Sequence, residues 1–118
     1  MKIRKDSSIE DKCVDMEGAK DVTMKILIGQ NEGSEKIIMR YFKIQPGGHT
    51  PFHNHPYEHV IKIEKGQGIA VDASKKEHVI SVGQSLFVEP NENHQFKNTS
   101  KETLELVCII PNPEKNKS

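Results

Sequence analysis

The stretch "PFHNHPYEHVIKIEKGQG", residues 51–68, decides both the fold and the site. It places His53, His55 and His59 within seven positions and continues into an alternating apolar segment that ends at two glycines. A helix is disfavoured because Pro56 lies between the histidines and β-branched residues follow them. On an extended chain alternate residues share a face, so the three histidines point the same way as Ile61.

The opposite face of this segment carries Glu58 and Lys62, which belong in water, so the histidines are predicted to face inward. Each imidazole brings two polar nitrogens that need partners in an apolar interior. A divalent metal would satisfy several of them at once, although any single histidine could instead be a hydrogen-bonded core residue. His94, at the start of a later strand and on the same face as Phe96, is the fourth candidate ligand.

The composition bounds the class of protein. The 118 residues predict one domain, 1–118, whose core is modest because hydrophobic residues are 34% of the chain and Trp is absent. A second subunit could cover part of that core, so we expect a homodimer. Basic and acidic residues balance at 17 each, so neither nucleic acid nor an anionic membrane is an expected partner.

No targeting or membrane segment is predicted. The N-terminal stretch "MKIRKDSSIEDK" lacks an apolar core, and the longest apolar run, "LVCII" at 106–110, is too short to span a bilayer. We therefore expect a cytoplasmic protein, in which Cys13 and Cys108 are free thiols.

Period-2 alternation between turn residues recurs along the chain and predicts strands. The eight candidates are 24–29, 37–44, 59–64, 68–73, 78–82, 85–89, 94–98 and 104–110. Strands this short, with almost no helical pattern, predict an all-β fold, an antiparallel sandwich or barrel. The barrel core is expected at about 24–111, after an N-terminal arm, 1–23, and before a frayed tail, 112–118.

The histidine stretch resembles the first motif of the cupin superfamily. That motif is a glycine, five residues, H-x-H, three or four residues, a glutamate, six residues and a glycine. Gly47, His53, His55 and Gly66 match it, and His59 stands where the family usually has its glutamate ligand.

The segment "GQSLFVEPNENHQFKN" resembles the second cupin motif. Gly83, His94 and Asn98 match, whereas Glu89 and Asn91 stand at the motif's proline and glycine positions. Asn tolerates the left-handed backbone that a turn glycine supplies, so the same turn is expected.

The resemblance implies a jelly-roll barrel, usually dimeric, with a metal held by His53, His55, His59 and His94. The segment "HPYEH" and the ending "LELVCIIP" resemble a subgroup of small single-domain cupins with four histidine ligands, including manganese-binding members. One divalent ion is therefore expected, manganese first, with iron, copper, nickel or zinc as alternatives that imidazole also suits. Four neutral ligands leave the ion its full charge and, on a six-coordinate ion, two open positions.

Strand parity also predicts the wall of the cavity. The inward-facing candidates are Arg40, Phe42, Ile61, Phe96, Leu106 and Cys108. Arg40 has two interpretations, a structural charge paired or exposed at the barrel mouth, or a clamp for an anionic substrate group and the one candidate catalytic side chain. No inward Glu, Asp or Lys is assigned as general acid or base, so chemistry would rest on the metal.

The function expected from these features is that of a metal-dependent oxidoreductase, similar to a dioxygenase, acting on a small chelating organic molecule. The alternative is a binding or sensing module in which the metal only anchors a ligand or stabilises the barrel. Family resemblance does not decide whether the protein is an enzyme.

Overall fold

A computed structural model of the chain describes residues 1–114, which form one curled antiparallel sheet. The nine strands among these residues are β1 (Lys12–Cys13), β2 (Lys20–Ile28), β3 (Ile37–His49), β4 (His59–Lys65), β5 (Gln67–Val71), β6 (Glu77–Ser81), β7 (Ser85–Val88), β8 (Gln95–Lys97) and β9 (Leu104–Pro111). Two short 3-10 turns, Asp6–Ser8 and Gln30–Glu32, are the helical elements of the described part. Within residues 1–114, no helix has the length and apolar character needed to cross a membrane.

The strands are ordered β6-β5-β8-β3-β9-β4-β7, with β2 also paired to β3 and β1 to β2. The longest strand, β3, pairs with β9 over Ile37–Ile44 and with β8 at His49. It bends between these two parts, where Gly47 has φ +83° and a Cβ on Gly48 would lie 2.6 Å from the carbonyl oxygen of Lys20. The bend leads the chain into the histidine loop, residues 50–58.

Alternation along β4 and β9 builds the core. In β4, His59, Ile61 and Ile63 are buried while Val60 and Lys62 are exposed, so the strand face predicted to turn inward does so. In β9 the buried residues are Leu104, Leu106, Cys108 and Ile110. Because β4 and β9 are paired neighbours, these residues form one continuous apolar surface on the inner face of the sheet. Each fully buried aliphatic side chain in it contributes about 1.5–3 kcal/mol.

The eight predicted strands are all present, and the all-β prediction is confirmed. The N-terminal arm is a correction: β1 was not predicted, and β2 begins at Lys20 rather than Met24. Asp21 interrupts the alternation there, with φ +53° and a register shift beside it, which hid the start of the strand. The arm predicted as 1–23 therefore ends in the sheet.

The predicted tail, 112–118, needs a second correction at its first residue. Asn112 is buried; its backbone N–H donates to the carbonyl of Lys36 at 2.8 Å and its side-chain amide to that of Glu35 at 3.0 Å. These bonds continue the β3–β9 end of the sheet, so the chain does not fray there. Residues 115–118 of the predicted tail lie outside the described residues.

Candidate metal centre

Backbone pairing brings the two histidine-bearing loops together. The N–H of His53 donates to the carbonyl of His94 at 3.1 Å, and the N–H of His94 returns a bond to His53 at 2.9 Å. Asn91, in the left-handed conformation with φ +65°, donates its N–H to the carbonyl of His55 at 2.6 Å. The turn expected at Asn91 is thus formed, and it ties the second loop to the first.

The four predicted ligands lie in one cluster of rings. Ring centroids are 4.5 Å apart for His53 and His55 and 5.1 Å apart for His53 and His94. One nitrogen from each of these three lies within 4.8 Å of the others. His59 stands outside that group of three, although its ring centroid is 5.1 Å from that of His55 and 5.0 Å from that of His94. Three histidines are thus positioned to bind a metal, and the fourth is beside them.

The hydrogen bonds of the rings fit the binding of a metal. Nδ1 of His94 donates to the carbonyl oxygen of Glu92 at 2.8 Å, which fixes the tautomer and leaves Nε2 with a lone pair for an ion. Nδ1 of His59 is buried and has no hydrogen-bond partner among the described residues. A buried imidazole nitrogen without a partner is costly in a folded protein, so this ring is not explained as ordinary packing. The donor set therefore fits a divalent ion.

The cavity environment keeps His53, His55 and His59 neutral. Burial lowers the pKa of His53, with the charges of His94 and Arg40 as further causes. Burial also lowers the pKa of His55 to about 4 and that of His59 to about 3, assisted by the neighbouring imidazoles and Arg40. Metal ligands must be deprotonated, so at neutral pH these rings need to lose no proton before they bind an ion.

The cluster lies at one side of a cavity of about 280 Å³. The six side chains predicted to form its wall all line it, namely Arg40, Phe42, Ile61, Phe96, Leu106 and Cys108. Cys108 is buried, and burial raises the pKa of its thiol. Cys13 is exposed, and both cysteines are free.

Sequence reasoning missed two parts of this cavity. Tyr57 lines it with its ring stacked on that of His55, the centroids 5.0 Å apart and the planes 8° apart. Strand parity contained the signal, because Tyr57 lies on the same alternate face as the three histidines. The other missed part is a wall from the N-terminal segment, formed by Val14, Met16, Ala19, Val22 and Met24. Met24 is the first residue of the predicted strand 24–29, but the apolar residues before it are irregularly spaced among charged ones, so periodicity did not reveal this wall.

The remaining two histidines lie outside the cluster. His78 is exposed, with Nε2 2.8 Å from a carboxylate oxygen of Asp72. His49 is half-buried at the end of β3, with Nδ1 3.3 Å from the carbonyl oxygen of Thr50.

Residues 40–110 match the family model described as the cupin domain, and the chain belongs to the cupin family. This match includes both histidine loops and most of the sheet. The resemblance to the superfamily is therefore confirmed, while the four-histidine site and the manganese-binding subgroup stay predictions.

Two curated relatives and the solved structure of a polyketide cyclase are among the proteins similar to the chain. The 1-methylthio-D-xylulose 5-phosphate methylsulfurylase of Rhodospirillum rubrum is 28% identical over 83% of this chain and 60% of its own length. Auxin-binding protein 1 of Arabidopsis thaliana is 33% identical over 69% of this chain and 45% of its own length. The chain thus spans less than two thirds of either curated relative. The polyketide cyclase RemF of Streptomyces resistomycificus superposes with a TM-score of 0.89 at 26% identity, covering 94% of this chain and 79% of RemF.

Proposed function

We propose that this cupin is a metal-dependent oxidoreductase of the dioxygenase type, acting on a small organic molecule that chelates its metal ion. The observation that carries the proposal is the histidine cluster beside an apolar cavity, with ligand nitrogens of His53, His55 and His94 within 4.8 Å of one another. His59 is the proposed fourth ligand. We propose one divalent ion, manganese first, with iron, copper, nickel and zinc as the alternatives.

The chain's own residues would bind and shield the reacting molecule. A bound ion would supply Lewis-acid activation and, if it is manganese, iron or copper, one-electron redox chemistry. Phe42, Ile61 and Leu106 present an apolar wall that limits access of water to a bound substrate. Tyr57, stacked on His55, holds that ring in place.

The titratable groups of the cavity support chemistry that does not need a protein base. Among residues 1–114, the side chains lining the cavity include no Asp or Glu. Burial raises the pKa of Tyr57 and also that of Cys108, so both keep their protons near neutral pH. Reactions that begin with proton abstraction by a carboxylate, as in many isomerases, therefore have no evident base here.

A binding module is the second candidate function. One relative is named as an auxin-binding protein. A closed four-coordinate zinc would stabilise the barrel without taking part in a reaction, and the cavity would then bind a small ligand without turning it over. The names of the other two relatives, a methylsulfurylase and a polyketide cyclase, indicate that similar cupin chains serve enzymes of different classes.

The first experiment is elemental analysis of untagged protein purified without added metal. We expect near-stoichiometric manganese, iron or copper, with an electron paramagnetic resonance signal that changes when dioxygen or a chelating probe such as catechol is added. The reconstituted protein should consume dioxygen with an oxidisable chelating probe. Stoichiometric zinc without dioxygen uptake would instead favour the binding module.

Matched histidine variants separate specific from adventitious binding. His53→Ala should lower metal content, whereas His78→Ala, at an exposed site outside the cluster, should leave it unchanged. Equal metal content in the two variants would contradict the proposed site.

The homodimer and the cytoplasmic location also remain proposals. The aliphatic core is modest for a chain of this size, which is the reason to expect a second subunit. Sedimentation velocity of the metal-loaded chain should give the mass of two copies; a monomer would contradict it.

A further inference from the structure

Arg40 carries a charge into the cavity without an acidic partner. It lies on β3, where Nη2 donates to the thiol sulfur of Cys108 at 3.3 Å and Cζ lies 5.0 Å from the ring centroid of Phe42. Its Nε is buried and has no hydrogen-bond partner in the described part of the chain. A thiol is a weak acceptor, so most of the hydrogen-bonding capacity of this guanidinium is unused.

Within residues 1–114, the lysines that are buried or half-buried form ion pairs, which sets Arg40 apart. Lys25, only 7% exposed, lies 3.8 Å from one carboxylate oxygen of Asp11, and the half-buried Lys43 lies 3.0 Å from the other. No carboxylate of residues 1–114 lies within ion-pair distance of Arg40. Arg40 is half-buried, and a cation partly removed from water without a counter-ion is destabilising. Pairing within the described fold therefore does not explain this residue.

The described residues around Arg40 in the cavity also bring no negative charge. Its charge is one of the causes that lower the pKa of His53, His55 and His59, so its field reaches the histidine cluster. With no acidic side chain among the described lining residues, a metal-loaded cavity would carry the charges of both the ion and the guanidinium. An anionic ligand would balance part of this positive charge.

We propose that Arg40 binds the carboxylate of a small organic acid whose apolar remainder lies in the cavity against Phe42. The inference rests on the proposed function, because this acid would be the molecule on which the metal centre acts. A carboxylate suits the site better than a phosphate ester, since it carries one charge and two oxygens that match a single guanidinium. Arg40 is the one Lys or Arg among the described residues that line the cavity, so a doubly charged phosphate would meet a single cationic side chain.

The test compares benzoate with its neutral isostere benzamide on the full chain, as purified and after treatment with EDTA. Binding is followed by NMR through the methyl groups of Ile44 and Ile61, which line the cavity. We expect benzoate to bind at least about tenfold more tightly than benzamide in both forms, because Arg40 remains when the metal is removed. Tighter binding of phenyl phosphate than of benzoate would overturn the assignment to a carboxylate.

Arg40→Met should remove the preference for benzoate and leave benzamide binding unchanged. Arg40→Lys should keep part of the preference, because it retains the charge and loses the planar fork. Arg4→Met is the matched control, since Arg4 is the chain's other arginine and lies outside the cavity. Because Arg40 is unpaired, Arg40→Met should melt no lower than the parent, whereas a lowered melting temperature with both probes equally weakened would make Arg40 a structural residue and overturn the proposal.

The same measurements separate this inference from the proposed function. If EDTA abolishes the benzoate preference and Arg40→Met leaves it intact in the metal-loaded chain, the ion binds the carboxylate and the inference about Arg40 fails while the metal function stands. If the protein binds no metal yet the preference still depends on Arg40, the proposed function fails and the inference stands.

Discussion

Asn98 illustrates how one buried side chain connects several parts of the sheet. It is 1% exposed, and its side-chain amide donates to the carbonyls of Ile44 at 2.8 Å and Glu102 at 2.7 Å. Its side-chain oxygen accepts from the backbone N–H of Ser100 at 2.9 Å and from the Ser100 hydroxyl at 2.7 Å. All the polar groups of this amide are therefore satisfied, and they connect β3, β8 and the turn that precedes β9.

We predict that Asn98→Ala lowers the free energy of unfolding by about 3 kcal/mol, because it leaves buried backbone groups without partners. Asn54→Ala is the control: Asn54 is exposed and its amide donates only to the side-chain oxygen of Asn93, so the change should cost less than about 0.5 kcal/mol. Urea denaturation followed by circular dichroism measures both. Similar losses in the two variants would contradict the role given to Asn98.

The second prediction at the residue scale concerns whether His59 is a metal ligand. If it is a ligand, His59→Ala should weaken manganese or zinc binding about tenfold or more in competition with a chromophoric chelator, with the sheet retained. Unchanged affinity would leave a site of three histidines.

The sequence was sufficient to select the four histidines of the cluster, but it did not show which charged side chains would be paired near them. His53, His55, His59 and His94 could be selected because strand parity and motif spacing agree on them. That no acidic side chain of residues 1–114 pairs with Arg40 could not be predicted, because it depends on how far the folded sheet places each Asp and Glu from the cavity.

At the scale of the elements, two turn glycines differ in the space around them. Gly66, between β4 and β5, has φ +82°, and a Cβ there would lie 2.5 Å from the carbonyl oxygen of Thr103. Gly83, between β6 and β7, has φ +93°, and a Cβ there would meet nothing within 4 Å. Both positions favour glycine for their backbone conformation, but only Gly66 is also confined by a neighbouring strand connection.

We predict that Gly66→Ala costs clearly more stability than Gly83→Ala. The second change should cost about 1 kcal/mol for the left-handed conformation, and the first should add the displacement of Thr103, for a total of about 3 kcal/mol. Thermal and urea unfolding of both variants give the difference. Equal losses would mean that the Thr103 backbone moves aside freely.

The strands themselves were predictable because one face of each meets the core, which imposes alternation on the sequence. The exceptions have local causes. β1 is only two residues long, Lys12–Cys13, and both are exposed, so it leaves no pattern. The start of β2 is hidden by the left-handed Asp21.

At the scale of the whole molecule, the histidine cluster makes stability depend on pH. The folded pKa values of His55, about 4, and His59, about 3, lie below the ordinary value of 6.5. Above that value neither state is protonated and the cluster adds no pH dependence. As the pH falls below it, the unfolded chain binds protons that the folded chain excludes, so the free energy of unfolding decreases until the pH passes the folded values.

We predict that the metal-free protein loses stability between about pH 6.5 and pH 3, with His59 alone accounting for on the order of 4 kcal/mol. Denaturation midpoints measured at several pH values in that window check the slope. His59→Gln cannot titrate and should flatten the dependence. A parent protein whose stability is constant from pH 6.5 to 4 would contradict the buried, neutral cluster.

The N-terminal wall of the cavity means that metal binding and the choice of organic ligand depend on different segments of the sequence. Val14, Met16 and Ala19 contact the space beside the histidines, yet they precede residue 40, where the match to the cupin family begins. Two chains can therefore agree throughout the matched region, and so share ligands and sheet, while offering different shapes to an incoming molecule. A chimaera in which residues 12–24 of this chain are replaced by the equivalent segment of another cupin should keep its affinity for the metal ion. It should differ from the parent in which organic ligand it binds.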